Sequence, residues 1–349
     1  MQNKKGSILL ISSWVLLILV VLAIGLGHRS SIALRLCAYQ RDNLKASYLA
    51  KAGINQAILQ LKEDASFPYN SLKSIWSTGV DPLTSKPLFE NVQIRDGSGE
   101  KFTVRYPYDD INYLCMLDEE RKININKVVT GLIFQPLLGQ LILTRLFDFA
   151  GAANPDDLKN LVVKWIDPAA DIGDDPDQIF KNSNLQTTEE LLPILEFFYK
   201  EEGNPALKAK QIYGKIKDLI TVYGDGKINI NTAKEETLGI LINACIDECV
   251  KNGVITVRPD PQNLINLISI IRKDAPFENL GALSNALAST SNLSSEEKNV
   301  LNKLTEIITF KSNNFRINST GEIIGKSISK TITCIFSRTG NKIIYWHEN

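Results

Sequence analysis

The stretch ILLISSWVLLILVVLAIGLG, residues 8–27, is apolar apart from Ser12 and Ser13. Lys4 and Lys5 precede it, and His28 follows it. A helix of about 20 residues is about 30 Å long, which matches the hydrocarbon thickness of a bilayer. The sequence therefore predicts a membrane-spanning helix at residues 8–27.

The residues beyond this stretch continue the helix. Ala23-Ile24-Gly25 has the small residues of a signal-peptide cleavage site, after which a mature chain would start afresh. However, apolar residues recur at helical spacing well past that point, at Ile54, Ala57, Ile58, Leu61 and Ala65. The first proline after the stretch is Pro68. We therefore predict one helix over residues 7–65, half in lipid and half outside it.

The composition fits a membrane-anchored protein that is mostly outside the bilayer. The chain has 349 residues, enough for two packed units, with 39 basic and 39 acidic residues. Zero net charge gives no electrostatic reason to bind nucleic acid. Lys4 and Lys5 favour a cytoplasmic N-terminus, although His28, Arg29 and Arg35 on the other side weaken the asymmetry.

The five cysteines do not predict a disulfide framework in a chain of this length. Cys245 and Cys249 are four residues apart on a predicted helix, where bridging geometry is hard to reach. Cys115 and Cys334 lie in strand-like stretches and could bond only if those strands pair. Buried free thiols are the simpler expectation.

Strand-like segments occur at both ends of the remaining chain. Phe102, Val104 and Tyr106 alternate with polar residues, and 111–117 is rich in β-forming residues. Similar segments return only at 315–324, 327–337 and 342–346, divided by turn residues. We therefore predict an α+β fold in which residues 66–118 and 311–349 form one small antiparallel sheet.

The segment between these strands, residues 119–310, is predicted to be an inserted α-helical domain. Apolar residues have helical spacing at 132–150, 156–165, 188–200, 206–222, 234–252, 261–273 and 294–310. Lys122-Ile123-Asn124-Ile125-Asn126 recurs as Lys227-Ile228-Asn229-Ile230-Asn231, and each copy leads into a helix. After the second copy, Asn231 or Thr232 is the predicted N-cap, with Glu235 and Glu236 in the first turn.

The start of the chain resembles a type IV prepilin. Lys4-Lys5-Gly6-Ser7 directly precedes the apolar stretch, and the resemblance implies that residues 1–6 are a leader that prepilin peptidase removes by cutting between Gly6 and Ser7. Most pilins carry a glutamate at the fifth mature position, which is Ile11 here. Such a glutamate would neutralise the buried amino terminus of a neighbouring subunit, because an unpaired charge in lipid is costly. A chain without it is poorly suited to the middle of a fibre.

Further motifs make the chain similar to the minor pseudopilin K of type II secretion systems, the general secretion pathway protein K family. They are the repeated Ile-Asn-Ile-Asn, Lys164-Trp165-Ile166-Asp167, Thr188-Glu189-Glu190-Leu191 and Tyr345-Trp346-His347-Glu348. The resemblance runs from end to end. It implies a pseudopilin sheet with an inserted α-domain, anchored in the inner membrane with its bulk in the periplasm.

The resemblance also implies a function in protein export across the outer membrane. The protein would form the pseudopilus tip with the minor pseudopilins I and J, and could contact the major pseudopilin. An alternative from another class is a pilin-like tip protein that binds DNA or another ligand in uptake or adhesion. In both cases the partners of residues 8–27 are inner-membrane lipid and apolar helices.

An acidic stretch raises the possibility of a Ca²⁺ site. It contains Asp167, Asp171, Asp174, Asp175 and Asp177. Carboxylates at this density suit Ca²⁺ and would repel one another without a cation. The resemblance implies calcium binding without identifying ligands, and a solvated acidic loop is the alternative. Asp225–Glu236 does not qualify as an EF-hand, because Lys227 and Ile230 replace a carboxylate and the turn glycine.

Two other functional classes have little support in the sequence. The second repeat copy is similar to the start of a helix-hairpin-helix DNA-binding module, but 241–245 lacks the glycines whose amides would bind phosphate. The histidines are His28 and His347, at opposite ends of the chain, which argues against a histidine-centred catalytic or zinc site. We therefore predict neither nucleic-acid binding nor enzymatic activity.

Overall fold

A computed structural model describes residues 4–94, 99–107, 113–131, 136–167, 180–290 and 293–349. Its first element is one continuous helix, α1 (Lys4–Asp64), which confirms the prediction of a helix that runs far beyond the apolar stretch. Among the described residues it is the one helix long and apolar enough to cross a membrane. Residues 8–37 are all exposed, and Asp42 is the first buried residue.

The other elements follow in three groups. After α1 come α2 (Ile75–Thr78), β1 (Val92–Gln93), β2 (Glu100–Val104), β3 (Tyr106–Pro107), β4 (Tyr113–Leu114) and β5 (Met116–Asp118). The middle of the chain forms β6 (Ile123–Asn124), α3 (Ile125–Thr130), α4 (Pro136–Ala150), α5 (Pro155–Ile166), α6 (Leu191–Phe198), α7 (Pro205–Ile216), β7 (Ile220–Thr221), β8 (Ile228–Asn229), α8 (Glu235–Lys251), α9 (Pro261–Asp274), α10 (Leu280–Thr290), α11 (Ser295–Thr305) and β9 (Ile308–Thr309). The chain ends with β10 (Asn314–Ile323), β11 (Ile328–Ser337) and β12 (Lys342–Glu348).

The main sheet combines strands from both ends of the chain, as predicted. Its order is β1-β2-β10-β11-β12, and β5 pairs with β10 on the same side as β2. All of these pairs are antiparallel. Buried residues alternate along β10, where Phe315 and Ile317 face the core beneath α1. The period of two that predicts a half-buried strand is therefore present in the structure.

Two glycines let α1 approach the sheet closely. A Cβ atom at Gly53 would lie 2.3 Å from Ser319 Oγ, and one at Gly321 would lie 2.1 Å from the carbonyl oxygen of Ala46. Both distances are too short for real atoms, so a side chain at either position would separate the helix from β10.

Two predicted helices are shorter than their apolar period indicates. The helix predicted at 206–222 ends at Ile216, because Ile220–Thr221 forms β7. The helix predicted at 294–310 ends at Thr305, because Ile308–Thr309 forms β9. β-Branched residues favour strands, and pairing with a second strand satisfies their backbone groups. The helix α10 was not predicted, since its small residues give only a weak apolar period.

The repeated motif marks two matching halves of the helical segment. β6 in the first copy pairs in parallel with β7, and β8 in the second copy pairs in parallel with β9. Each half therefore opens with Ile-Asn-Ile-Asn and closes with an Ile-Thr strand beside it.

The two copies differ in how their helix begins. Asn124 is the N-cap of α3, and its side chain accepts a hydrogen bond from the Lys127 N–H. In the second copy a turn intervenes, and Lys234 is the N-cap of α8. The predicted N-cap at Asn231 or Thr232 was therefore wrong, because both side chains bind groups elsewhere. Glu235 and Glu236 do lie in the first turn of α8.

Within the part of the chain that the structure describes, two hydrophobic clusters fill the interior. One draws its residues from 123–308, and the other from 49–116 and 315–336. All five cysteines are free, as expected, and Cys245, Cys249 and Cys334 are buried, whereas Cys37 is exposed and Cys115 is half-buried. β10 lies between the segments that carry Cys115 and Cys334, so these two thiols do not meet.

Candidate assembly helix and polar junction

The first half of α1 is the candidate membrane and assembly surface. Its apolar side chains point outward all around the helix, and Ile11 is 62% exposed. The Ser12 hydroxyl donates to the Leu9 carbonyl oxygen (2.9 Å), so this polar group is satisfied within the helix. A continuous apolar surface of this size is stable only when lipid or other apolar helices cover it.

The residues of the predicted cleavage site lie near the beginning of α1. Gly6 and Ser7 are both within its helical backbone, and cleavage between them stays a prediction. Gly25 and Gly27 lie at the other end of the apolar stretch. A Cβ atom at either glycine would meet no atom within 4 Å, so nothing in this chain requires a glycine there.

Ion pairs hold α1 where it first meets the sheet. Asp42 accepts a hydrogen bond from Lys326, in the turn between β10 and β11, at 2.6 Å. Lys326 is the main cause that lowers the pKa of Asp42. Lys45 pairs with Glu100 at the start of β2, also at 2.6 Å. These contacts add to the apolar packing that orients α1 on the sheet.

The other end of α1 is held by a buried ion pair. Asp64 Oδ2 lies 2.9 Å from Arg338 Nη2, at the end of β11. Asn70 donates to the same carboxylate oxygen (2.5 Å) and accepts from Arg338 Nη1 (3.0 Å). Arg338 also stacks over the ring of Phe315, with its guanidinium carbon 4.3 Å from the ring centroid. The amide and the ring thus support a pair that is shielded from water.

Residues 118–122, Asp-Glu-Glu-Arg-Lys, and the side chains that contact them form a buried polar junction between the sheet and the helical halves. Asp118 Oδ2 accepts hydrogen bonds from Thr232 Oγ1 (2.6 Å), Ser312 Oγ (2.7 Å) and Asn229 Nδ2 (3.2 Å). Asp118 ends β5, Asn229 and Thr232 belong to the second half, and Ser312 precedes β10. One carboxylate thus connects both points where the chain passes between sheet and helices.

Glu119 binds cations inside this junction. It accepts from Arg316 Nε (2.6 Å) and Thr221 Oγ1 (2.6 Å), and Lys122 Nζ lies 3.4 Å away. Burial opposes the ionisation of Glu119, but Lys122 and Arg316 outweigh it and lower its pKa to about 2. Glu119 is therefore a buried carboxylate that needs both cations.

The pKa of Glu120 is shifted in the opposite direction to that of Glu119. Its carboxylate accepts from the backbone N–H of Asn314 (3.0 Å) and from Asn314 Nδ2 (2.7 Å). Burial, and then the nearby Asp118, raise the pKa of Glu120 well above its ordinary value. The pKa of Asp118 is also raised, chiefly by burial. Two adjacent glutamates thus have pKa values shifted in opposite directions.

The second asparagine of each repeat copy has the same role in both halves. Asn126 donates to the Leu185 carbonyl oxygen (2.9 Å) and accepts from the Leu185 N–H (2.8 Å). Asn231 makes the same two bonds with Phe277, both at 2.8 Å. The repeated motif is therefore explained by structure: its asparagines hold distant loops through paired backbone contacts.

Sequence reasoning missed the polar junction. Five consecutive charged residues are usually a solvated surface, whereas all five are buried here. Their position directly before the first repeat copy was an available signal. The partners, Arg316 and Asn314, lie almost two hundred residues away, so the pairing could not be read from local spacing.

The structure describes one member of the predicted calcium site. Asp167 is the C-cap of α5, and its N–H donates to the Val163 carbonyl oxygen (2.8 Å). Asp171, Asp174, Asp175 and Asp177 lie outside the described residues. Within the described ranges, no three His, Cys, Asp or Glu residues are grouped to hold a metal ion. Asp225, from the rejected EF-hand pattern, accepts from the Lys227 N–H (3.0 Å).

Comparison with solved structures gives a match over most of the chain. No family model and no curated protein match the chain. A solved structure does match, with a TM-score of 0.55 at 12% sequence identity, covering 90% of this chain and 99% of the other. It is the crystal structure of the GspK–GspI–GspJ complex from the type 2 secretion system of enterotoxigenic Escherichia coli. The chain has a GspK-like pseudopilin fold. The resemblance to the K family is thus confirmed at the level of the fold.

The apolar surface of α1 is consistent with the GspK-like fold. The long apolar helix fits a single-pass membrane anchor.

Proposed function

We propose that this protein is a minor pseudopilin of a type II secretion system, which forms the tip of the pseudopilus and supports protein export across the outer membrane. The observation that carries the proposal is the GspK-like fold attached to a fully exposed apolar helix of membrane length. The partners would be an I-like and a J-like minor pseudopilin, since the matched crystal contains GspK with GspI and GspJ. The major pseudopilin is a further candidate neighbour.

The proposal includes processing and insertion of the chain at the inner membrane. Residues 1–6 would be the leader, Gly6–Ser7 the bond cut by prepilin peptidase, and Lys4 and Lys5 would keep the N-terminus cytoplasmic. Residues beyond the span would then lie in the periplasm, with the sheet domain at 66–118 and 311–349 and the α-domain at 119–310. Gly25 and Gly27 are available for close approach by a partner helix, because they pack against nothing in this chain.

The tip position is supported by Ile11 and by the bulk of the helical halves. An apolar Ile11 cannot neutralise the amino terminus of a subunit added above it, and a buried unpaired amine is costly. The helical halves also extend beside the sheet and would obstruct another subunit. Both features disfavour the addition of a further subunit above this one, and neither prevents contact with the subunits below it. A subunit with these properties would be at the end of the pseudopilus.

Processing at Gly6 gives the first test. We expect Gly6→Val to leave the six-residue leader attached and to abolish export of a reporter enzyme. Ala23→Val is the matched control, because it also enlarges a small residue of α1 but leaves the cleavage site intact. Mass spectrometry of the membrane protein and secreted reporter activity are the measurements. Normal processing and secretion by Gly6→Val would refute the proposal.

Position in the filament gives the second test. An epitope at the C-terminus should label one end of each pseudopilus in electron micrographs. The full chain, extracted in detergent, should co-purify with the I-like and J-like subunits. Repeated labelling along the shaft would contradict a tip position, and binding of DNA without these subunits would favour the alternative uptake function.

Calcium binding is a separate proposal that rests on the acidic composition of residues 167–177. Equilibrium dialysis of the full chain against ⁴⁵Ca²⁺ should show bound calcium that decreases in a D174N/D175N variant. D156N/D157N is the matched control, because it removes two carboxylates from the nearby start of α5. Equal binding by all three proteins, or none, would leave the stretch as a solvated loop.

A further inference from the structure

The free edge of the main sheet is formed by β12. The strand order ends there, no described strand pairs with its outer side, and most of its residues are exposed. The opposite edge is the two-residue strand β1. Unpaired strand edges readily pair with other chains, and soluble proteins usually protect them with proline, charge or a covering element. β12 contains no proline, and Ile343, Ile344 and Trp346 are each about 40% exposed.

The hydrogen-bonding groups of this edge can be assigned. Asn349 exchanges two backbone hydrogen bonds with Thr331, so its N–H and C=O point toward β11. Because these directions alternate along a strand, the backbone groups of His347 also point inward, whereas those of Trp346 and Glu348 point outward. A register shift near Ile344 disturbs only the beginning of β12, so the outward groups lie in its regular part.

Aromatic side chains lie beside this edge on both faces of the sheet. Trp346 lies opposite Cys334 and therefore faces α1, where Lys51 Nζ is 6.0 Å from the Trp346 ring and 5.7 Å from the Tyr48 ring. Tyr48 is 70% exposed. On the other face, the rings of Tyr345 and Tyr223 are 6.4 Å apart. An added strand would therefore have aromatic surface on both sides.

Lipid cannot cover this surface. The continuous helix from Gly27 to Tyr48 is about 30 Å long at about 1.5 Å per residue, which places the patch far beyond the membrane. Only an extended polypeptide can pair with alternating N–H and C=O groups. The occupant must therefore be protein, and its own sheet must stand at the same height above the membrane.

We propose that β12 receives an extended strand from a neighbouring membrane-anchored pseudopilin, which joins the two sheets through the backbone groups of Trp346 and Glu348. The identity of the neighbour as another pseudopilin rests on the proposed function. A single terminal subunit has no second copy beside it, so the strand comes from a different chain.

Hydrogen exchange tests the pairing directly. The full-length protein is measured alone in detergent and after co-purification with the I-like and J-like subunits, with residue resolution. We expect the amides of Trp346 and Glu348 to exchange at least about tenfold more slowly in the complex, as hydrogen-bonded amides do. The Tyr345 and His347 amides, which face β11, are internal controls that should be slow in both samples.

A pair of variants separates the backbone from the side chain. Glu348→Pro removes an outward N–H that β11 does not use, and proline is tolerated at such edge positions. Glu348→Gln keeps that N–H, and both variants lose the ion pair with Lys51 (3.1 Å in the native chain). We expect Glu348→Pro to lower recovery of the complex about fivefold, the usual effect of losing one backbone hydrogen bond, with Glu348→Gln near the native level. Equal thermal midpoints of the free variants would show that both fold.

The outcomes distinguish the two proposals. A complex that forms with Trp346 and Glu348 amides still fast, or with equal recovery of both variants, refutes strand pairing and leaves the pseudopilin function standing. If the Trp346 and Glu348 amides become protected in the isolated chain as its concentration rises, the edge pairs with a second copy of this chain. That result also refutes pairing with a different pseudopilin. Failure of any pseudopilin to co-purify refutes the proposed function and, with it, the partner named here.

Discussion

Asp64 at the end of α1 and Arg338 at the end of β11 form an ion pair in which each side chain is only 6% exposed. The pair joins the C-terminal end of α1 to β11, the strand beside the edge strand β12. Asn70 bonds to both partners, so the three side chains form one unit. A force on the exposed part of α1 would therefore reach the sheet through this contact as well as through apolar packing.

Loss of Arg338 should destabilise the folded part strongly. Arg338→Ala leaves the Asp64 carboxylate buried without its cation, and breaking such a pair costs about 3–5 kcal/mol in free energy of unfolding. Guanidinium denaturation of the detergent-solubilised chain measures this loss. Arg41→Ala is the control, since the Arg41 side chain is 62% exposed and the buried Asp42 keeps its hydrogen bond from Lys326. Similar stability of the two variants would contradict the structural role of Arg338.

The pKa of Glu119 predicts a loss of stability in acid. Its native pKa, about 2, lies below the unfolded value of 4.5, so its contribution is present above pH 4.5 and is lost as the pH falls toward 2. Glu119→Gln should remove this contribution at neutral pH and leave Arg316 and Lys122 buried without their anion. We expect a loss of about 3–5 kcal/mol at pH 7, measured by urea denaturation. If the difference in free energy of unfolding between the native chain and Glu119→Gln stays constant from pH 7 to pH 3, the lowered pKa of Glu119 is contradicted.

Glu120 should show the opposite pH dependence. Its native pKa is raised above the unfolded value of 4.5, so its protonated form contributes stability below that pH, and the contribution is lost as the pH rises through the native pKa. Glu120→Gln mimics the protonated form. We expect this variant to gain stability relative to the native chain as the pH increases from 5 to 8. Thermal midpoints across that range measure the gain, and Glu119→Gln is the adjacent control, whose loss of stability should stay nearly constant because the native and unfolded pKa values of Glu119 both lie below pH 5.

The paired asparagines should contribute equally in the two halves. Asn231→Ala leaves the buried N–H and C=O of Phe277 without their partner, and Asn126→Ala does the same to Leu185. Leaving two buried backbone groups unpaired costs about 2–6 kcal/mol, at about 1–3 kcal/mol each. Denaturation of both variants should give similar losses. A large loss for only one of them would show that the halves are not equivalent.

Close packing of α1 predicts that Gly321 tolerates no side chain. Gly321→Ala would bring Cβ to 2.1 Å from the Ala46 carbonyl oxygen, so the helix must move away from β10. Overpacking of this kind costs about 1–3 kcal/mol or more. Gly203→Ala is the matched control, because a Cβ there meets no atom within 4 Å. Equal thermal midpoints for the two variants would argue against a close helix–sheet contact.

The sequence predicted features that depend on near neighbours along the chain. The apolar stretch, the buried face at Ile54 and Leu61, and the alternating terminal strands all follow from one-dimensional periodicity. Features that depend on distant partners were missed. Ile220–Thr221 forms a strand because β6 lies beside it, and nothing in its local pattern names that partner. The burial of residues 118–122 likewise depends on Arg316 and Asn314.

The candidate sites divide in the same way. The membrane helix and the repeated asparagines were visible in the sequence, but the reason for the repeat was not. Its asparagines contact Leu185 and Phe277, which share no motif and lie far along the chain. The edge of β12 was visible only as β-forming residues, because a free edge is a property of strand order.

The parallel pairing of β6 with β7, and of β8 with β9, has an evolutionary consequence. Paired strands are about 4.8 Å apart, so the polypeptide leaves each half almost where it entered. A unit with adjoining ends can be acquired or lost without rerouting its host. Because one hydrophobic cluster draws residues from both halves, removing one half would expose apolar surface of the other, so we expect both halves to be gained or lost together.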